Sequence, residues 1–291
     1  MDHYLHTMTS TQQAQADDAT KQQDVATLEA GKIIYFPDYS FQPTTTDKAL
    51  LCESILDSKH KNISYHHTSQ RLVGCANSEF TALMQGFMHR FSDFAKALVD
   101  STLPHYSKDL RWGRTSYRPA EIKGRATSKR KDDKRVHVDS FAASPVNGLR
   151  ILRVFCNINP YGEPRVWHAG EPFTVLLNTF EPKIPAYSAM RAKLLQLVKA
   201  TKTRRTPYDH YMLHLHDQMK LDDHYQANLK KERIEFPSQS TWIVFTDHVS
   251  HAALSGQFLL EQTFYLPVTA MLNQEQSPLR LWEEKKGCVL A

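Results

Sequence analysis

Leu149-Arg150-Ile151-Leu152-Arg153-Val154-Phe155-Cys156-Asn157-Ile158-Asn159 is a strand with two different faces. Successive side chains on a strand point to opposite sides. Leu152, Val154, Cys156 and Ile158 therefore share one apolar face, and Arg153, Phe155, Asn157 and Asn159 share the other. An ordinary half-buried strand would turn its polar face to water. In a small barrel that face lines a ligand cavity, while the apolar face packs beneath helices.

The helix to cover it lies upstream. From Asn77 to about Val99, Phe80, Leu83, Met84, Phe87, Phe91, Phe94 and Leu98 recur at three- and four-residue spacing, a broad apolar stripe suited to packing on a sheet. Lys32 to Pro37 reads as a short strand, Asp47 to Leu56 as a helix, and residues 1–23, without apolar periodicity, as a mobile tail. Between Arg111 and Pro185 short β-type segments alternate with Pro and Gly, with no long helical pattern. Ser188 to Thr201 reads as an amphipathic helix with Met190, Leu194, Leu197 and Val198 on one side; Tyr208 to Leu229, polar and rich in His, has no clear form. Thr241 to Phe245 and Gln257 to Tyr265 are strong strand candidates. Helices early and strands later predict an α+β protein.

Composition is that of a globular protein: 291 residues, 41% hydrophobic and 23% charged. No apolar run reaches the roughly 20 residues that span a bilayer, and no secretory signal or amphipathic membrane anchor is evident, so a cytoplasmic location is expected. Cys52, Cys75, Cys156 and Cys288 lack C-x-x-C spacing, which excludes a zinc ribbon and a disulfide framework. Net charge is +5, yet ten Lys or Arg fall between Arg111 and Arg135. Such local basicity points to an anionic partner. The run Lys129-Arg130-Lys131 has few interleaved aromatics and carries Asp132 and Asp133. A rim that guides a phosphorylated or carboxylated substrate fits it better than nucleic acid, and a solvated loop is the bland alternative.

Next to this rim stands Arg135-Val136-His137-Val138-Asp139-Ser140. His and Asp two apart on an extended segment project to one side and can grip one metal ion. With a later His they form the two-His, one-carboxylate set of non-haem iron oxygenases. Either His248 or His251 can complete the set. His251 is preferred because Ala252-Ala253-Leu254 resumes a buried segment, whereas His248 adjoins the charged Asp247. His210 and His214 have the i, i+4 spacing of helical ligands but no matching carboxylate pattern; His66 and His67 lack one too.

The long stretches around these motifs resemble a known family. Arg118-Pro119-x-Glu121-Ile122-x-Gly124-Arg125, then Arg130-Lys131-Asp132-Asp133-x-Arg135-x-His137-x-Asp139-x-Phe141, then Arg150 to Asn157 running on through Pro160-x-Gly162-x-Pro164-Arg165-x-Trp167, closely resemble the Kdo hydroxylases. The likeness continues through Tyr208 to Lys220 and Ser250-His251-Ala252-x-x-Ser255-Gly256-Gln257. That family consists of Fe(II)- and 2-oxoglutarate-dependent dioxygenases acting on 3-deoxy-D-manno-oct-2-ulosonic acid (Kdo) in bacterial lipopolysaccharide. The resemblance implies a double-stranded β-helix, or jelly-roll, cupin-like and backed by helices. Its core would run from about 105 to 267 within a single domain at 24–291.

It further implies that His137, Asp139 and His251 hold Fe(II), that 2-oxoglutarate and O2 take the open positions, and that C3 of the sugar is hydroxylated in Kdo-lipid A. Superfamily members commonly carry a basic residue about ten positions after the distal His to pair with 2-oxoglutarate; here no Lys or Arg occurs between His251 and Arg280. Arg153 is the first candidate for that role and Arg118 the second, with Asn157 and Gln257 as neutral helpers. Arg165, Trp167 and Arg125 are then left for the sugar. Peripheral contact with the inner membrane is expected and nucleic acid is not. The alternatives are a same-superfamily oxygenase of peptides or nucleic acids, and a non-catalytic jelly-roll metal-binding module.

Overall fold

The computed structural model describes residues 3–124 and 127–291. Its first strand, β1 (Leu5–Thr7), pairs in parallel with β2 (Ile33–Phe36), and between them lie α1 (Ser10–Gln15) and α2 (Asp18–Glu29). The expected mobile tail is therefore an ordered part of the sheet edge. Caps explain how such polar helices form: Thr9 and Gln12 make a capping box, and Asp17 accepts from the backbone N–H of Thr20. The helix expected at Asp47 to Leu56 is two short 3-10 turns, Thr46–Leu50 and Glu53–Ile55.

The hairpin of β3 (Ile63–His66) and β4 (Arg71–Val73) leads to the long helix α3 (Thr81–Thr102). Met84, Phe87, Met88, Phe91, Leu98 and Val99 are buried along it, as the apolar stripe predicts. There follow β5 (Arg111–Arg118), β6 (Arg150–Asn157) and β7 (Arg165–Ala169). Then comes α4 (Phe173–Phe180), a helix too short for its periodicity to stand out in a segment read as β-type.

The next helix, α5 (Ala189–Leu197), forms where expected, but its apolar side does not face the core: of its own residues only Ala192 is buried. The His-rich stretch is helical, as α6 (Pro207–Leu221) and α7 (Asp223–Asn228). The chain ends with β8 (Glu232–Phe236), β9 (Ser240–Phe245), β10 (His251–Ser255), β11 (Leu259–Leu266) and α8 (Pro278–Lys286).

Eight strands form one sheet in the order β1-β2-β9-β6-β11-β5-β3-β4, and β10-β7-β8 form a second. An antiparallel bridge between His137 and His251 adds the segment at 137 to the edge of the smaller sheet. This is the mixed α+β jelly-roll expected. The two faces of β6 lie in separate cores. Leu152, Val154 and Cys156 pack with α2 and α3 residues such as Leu28, Phe87 and Phe91. Phe155 packs between the sheets with Trp167, Ile234, Phe236, Trp242 and Val244. A barrel thus closes around aromatic side chains at one end and leaves the other open. All four cysteines are free thiols.

Candidate active site

The open end is a cavity of about 1030 Å³. Its inner wall follows from strand register. On β11, Glu261 stands opposite Phe155 of β6 and Ser116 of β5, while Leu259 pairs with Arg118 and Thr263 with Arg153. Paired residues share a face, so Glu261 lies diagonally between two arginines. Arg118 donates to Glu261 Oε2 through Nη2 at 2.9 Å and Nε at 3.2 Å, and Arg153 Nη1 lies 3.4 Å from Oε1. Burial would raise the Glu261 carboxyl, but Arg153 and Arg118 outweigh it and hold it ionised.

His137, Asp139 and His251 meet at this wall with ligand atoms within 4.8 Å of one another. Each is fixed by its own backbone. The amides of His137 and His251 donate reciprocally to each other's carbonyls at 2.9 and 2.8 Å, and Asp139 N–H donates to Thr246 O at 2.8 Å. Side chains are fixed as well. His137 Nδ1 lies 2.8 Å from Arg135 O, and His251 Nδ1 lies 2.9 Å from Val249 O. A carbonyl can only accept, so Nδ1 carries the proton on both rings and Nε2 keeps its lone pair.

Protonation states agree with that arrangement. Burial, with Lys220, His251 and His216 nearby, pushes His137 well below the ordinary histidine range; burial also lowers His251. Burial alone would raise Asp139, yet the Arg153 guanidinium beside it holds it below the usual carboxylate range. Arg153 Nη1 is 3.1 Å from Asp139 Oδ2 but poorly aligned, so among the described residues that sealed oxygen has no hydrogen-bond partner. Two neutral imidazoles with free Nε2 atoms and an under-satisfied carboxylate are the donor set that a divalent first-row transition ion takes. A metal therefore fits these residues.

His248 stands elsewhere. Its ring packs edge-on to Phe173 at 5.6 Å and against Gly31, and burial pushes it down to about 3. Its neighbour Asp247 forms a buried ion pair with Arg150 at 2.7 Å. His210 and His214 lie ring to ring on α6, centroids 4.4 Å apart and tilted at 58°, and form no metal-binding group with a carboxylate among the described residues; His210 Nε2 bonds Pro185 O. The sequence left His67 without a carboxylate partner, but α3 brings one. His67 and His89 both approach Asp93, at 3.0 and 3.5 Å, with His67 stacked on Trp112. This partly exposed cluster lies outside the cavity lining.

Of the other expected residues, Arg118, Arg153, Arg165 and Trp167 line the cavity, whereas Asn157 and Gln257 do not. Asn157 sits at the strand end and spends its amide on Glu163 O and Phe236 O, at 3.0 and 3.1 Å. Gln257 belongs to the turn between β10 and β11. Trp167 lies against His251, with ring centroids 4.9 Å apart at 22°, and so walls that imidazole from behind. Arg165 donates to Gly256 O at 2.7 Å, and burial pushes it down to about 9. Arg125 lies outside the described residues.

Sequence reading did not single out Glu261, His216 or Lys220. His216 meets His137 edge-to-face at 5.3 Å, and Lys220 points to Asp133 at 3.8 Å. The basic rim is real: Lys61, Arg111, Arg114, Arg130, Lys131 and Lys202 join Arg118, Arg153, Arg165 and Lys220 in the lining. Among the described lining residues only Asp133, Asp139 and Glu261 are acidic. The cavity is built for an anionic guest.

The sequence model of a family described as 3-deoxy-D-manno-oct-2-ulosonic acid (Kdo) hydroxylase matches residues 11–287. Curated protein sequences gave no match. Among solved structures, the Kdo hydroxylase KdoO, a non-heme Fe(II) alphaketoglutarate dependent dioxygenase in complex with alphaketoglutarate and Fe(III), is 42% identical. It aligns with a TM-score of 0.94 over 99% of this chain and 97% of that one. The cobalt(II) complex of KdoO is 43% identical, with a TM-score of 0.94 over 98% of this chain and 97% of that one. Its apo structure gives 43% and 0.94, over 99% and 97%. A jelly-roll whose open end gathers two histidines, an aspartate and a ring of cations, matched across nearly its full length, belongs to the Kdo hydroxylase family.

Proposed function

We propose that the chain is an Fe(II)- and 2-oxoglutarate-dependent dioxygenase that hydroxylates C3 of Kdo in Kdo-lipid A. The observation that carries this reading is the convergence of His137 Nε2, His251 Nε2 and the Asp139 carboxylate inside a basic cavity. These three would hold the iron. When bound, Fe(II) would supply oxygen activation, with O2 as oxidant and 2-oxoglutarate as co-substrate.

The chain's own residues position and exclude. Arg135 O and Val249 O orient the two imidazoles, and Trp167 backs His251 against rotation. With Asp139 committed to the metal, Glu261 offsets one of the two guanidiniums beside it. One positive charge is left for the far carboxylate of 2-oxoglutarate, and Arg153, nearest Asp139, is assigned to it with Arg118 as second. Arg165, whose Nε is sealed without a partner among the described residues, and Arg125 are assigned to the sugar carboxylate. Residues 24–291, together with the N-terminal strand and helices that complete the sheet edge, act as one catalytic unit around the core at about 105–267, working against the cytoplasmic face of the inner membrane, where the lipid-borne sugar is. Among the described residues no helix is long and apolar enough to cross a membrane.

The test is direct. The purified chain is given Fe(II), 2-oxoglutarate and Kdo-lipid A in air. Succinate should form together with product heavier by one oxygen atom. Succinate without oxygenated sugar across Kdo substrates, or turnover on a peptide or nucleic acid instead, would overturn the assignment.

A further inference from the structure

Helix α5 carries a face that the fold does not use. Met190, Leu194, Leu197 and Val198 are 82%, 57%, 77% and 62% exposed, which makes them four of the nine large apolar side chains exposed among the described residues. Their i, i+4, i+7, i+8 spacing sets them on one side of the helix. Soluble proteins scatter single exposed apolar residues; a contiguous set marks a binding surface.

Charge indicates what binds there. Between Glu181 and Asp209 the chain has seven Lys or Arg and no Asp or Glu. Of these, Arg191, Lys193, Lys199, Lys202 and Arg204 are exposed, and none is within ion-pair distance of a carboxylate among the described residues. An apolar stripe bordered by unpaired cations matches an anionic lipid leaflet: acyl chains take the stripe, and phosphates take the Lys and Arg. A second copy of this chain would bring the same cations against these, which disfavours self-association.

Position supplies the purpose. Just beyond α5, Lys202 N–H donates to Ala143 O at 2.9 Å, Thr203 Oγ1 pairs with Asn147 Oδ1 at 3.0 Å, and Asn147 Nδ2 donates to Arg204 O at 2.9 Å. Ala143, Asn147, Lys202 and Thr203 all line the cavity. The helix is thus tied to the rim of the mouth. We propose that α5 seats the protein on an anionic membrane, with Met190, Leu194, Leu197 and Val198 entering the leaflet beside the cavity mouth. A sugar fixed to a lipid then reaches the site without leaving the surface. The purpose, though not the binding, rests on the lipid-borne substrate proposed above.

The experiment is sedimentation of the full chain with vesicles of phosphatidylethanolamine and phosphatidylglycerol, against vesicles of phosphatidylcholine alone. The chain should bind the anionic vesicles, less tightly as salt rises, and L194Q/L197Q should bind about tenfold or more weakly. Both side chains are exposed, so the variant's thermal midpoint should stay at that of the parent. Its turnover on a deacylated, water-soluble Kdo oligosaccharide should also be unchanged, while turnover on vesicle-borne Kdo-lipid A falls. Equal vesicle binding by parent and variant, no binding by either, or a parent dimer that the variant converts to monomer would each overturn the proposal. Vesicle binding needs no turnover, so failure on every Kdo substrate would defeat the catalytic reading and leave this one standing.

Discussion

Glu261→Gln tests the electrostatics of the cavity wall. Glu261 is buried and accepts two hydrogen bonds from Arg118, at 2.9 and 3.2 Å, with Arg153 at 3.4 Å on its other oxygen. The amide keeps the shape and removes the charge, so two neighbouring guanidiniums lose their shared counter-ion. Breaking a buried charge pair on one side costs roughly 3–5 kcal/mol. Arg118 keeps some contact with solvent, so the lower end applies, about 3 kcal/mol. For a chain of this size that lowers the melting midpoint by roughly 5–10 °C.

The same substitution leaves an extra positive charge where 2-oxoglutarate is proposed to bind. Adding 2-oxoglutarate with a redox-silent divalent metal should therefore raise the midpoint of the variant by more than it raises that of the parent. Differential scanning fluorimetry with and without the ligand reads both effects. A midpoint within about 1 °C of the parent, given the midpoint shift expected above, would refute the charge assignment. So would a ligand-induced rise no larger than the parent's.

Further outcomes follow from the same geometry. Arg153→Ala should raise the KM for 2-oxoglutarate roughly 10- to 100-fold, the value of one charge-assisted hydrogen bond, and leave the KM for the sugar nearly unchanged; steady-state kinetics with each substrate varied decides it, and equal effects would move the role to another residue. His248, held at about 3 in the fold against about 6.5 in the unfolded chain, takes a proton in the unfolded state first as pH falls. Its contribution is thus neutral above about pH 6.5 and destabilising as pH drops toward 3, and by pH 5 it costs at most about 2 kcal/mol. Urea unfolding at pH 7 and pH 5 should show the parent losing that much more stability than His248→Leu; parallel losses would mean that the ring is not sealed as described.

Local pattern carried much of this fold, because period-2 and 3.6-residue repeats report which side of an element is buried. The two faces of β6, the stripe of α3 and the strands at Ser240–Phe245 and Leu259–Leu266 were all readable this way. His137 and Asp139 were legible for the same reason, as two side chains of an extended segment projecting together. Glu261 was not. It lay in plain view on a strand candidate, but its meaning depends on register with Arg118 and Arg153, which only the assembled sheet supplies.

Long-range pairing hid other features too. Residues Leu5–Thr7 are strand-like only because β2 offers them an edge. His89 and Asp93 acquire a histidine partner from 22 or more residues away in sequence, where no spacing rule reaches. The α5 stripe shows the opposite error. Amphipathic periodicity reveals an apolar face but not what covers it, and here none of the described residues does. Asn157 faces the barrel as alternation requires, yet at the strand end its amide is taken by two carbonyls before a ligand could use it.

Bound iron decides whether His137, Asp139 and His251 form one metal centre. Chains purified and loaded with Fe(II) anaerobically, then freed of excess, should carry one iron per chain in the parent and in His248→Ala, and almost none in His251→Ala. Iron retained by His251→Ala and lost from His248→Ala would place the distal ligand at His248 instead.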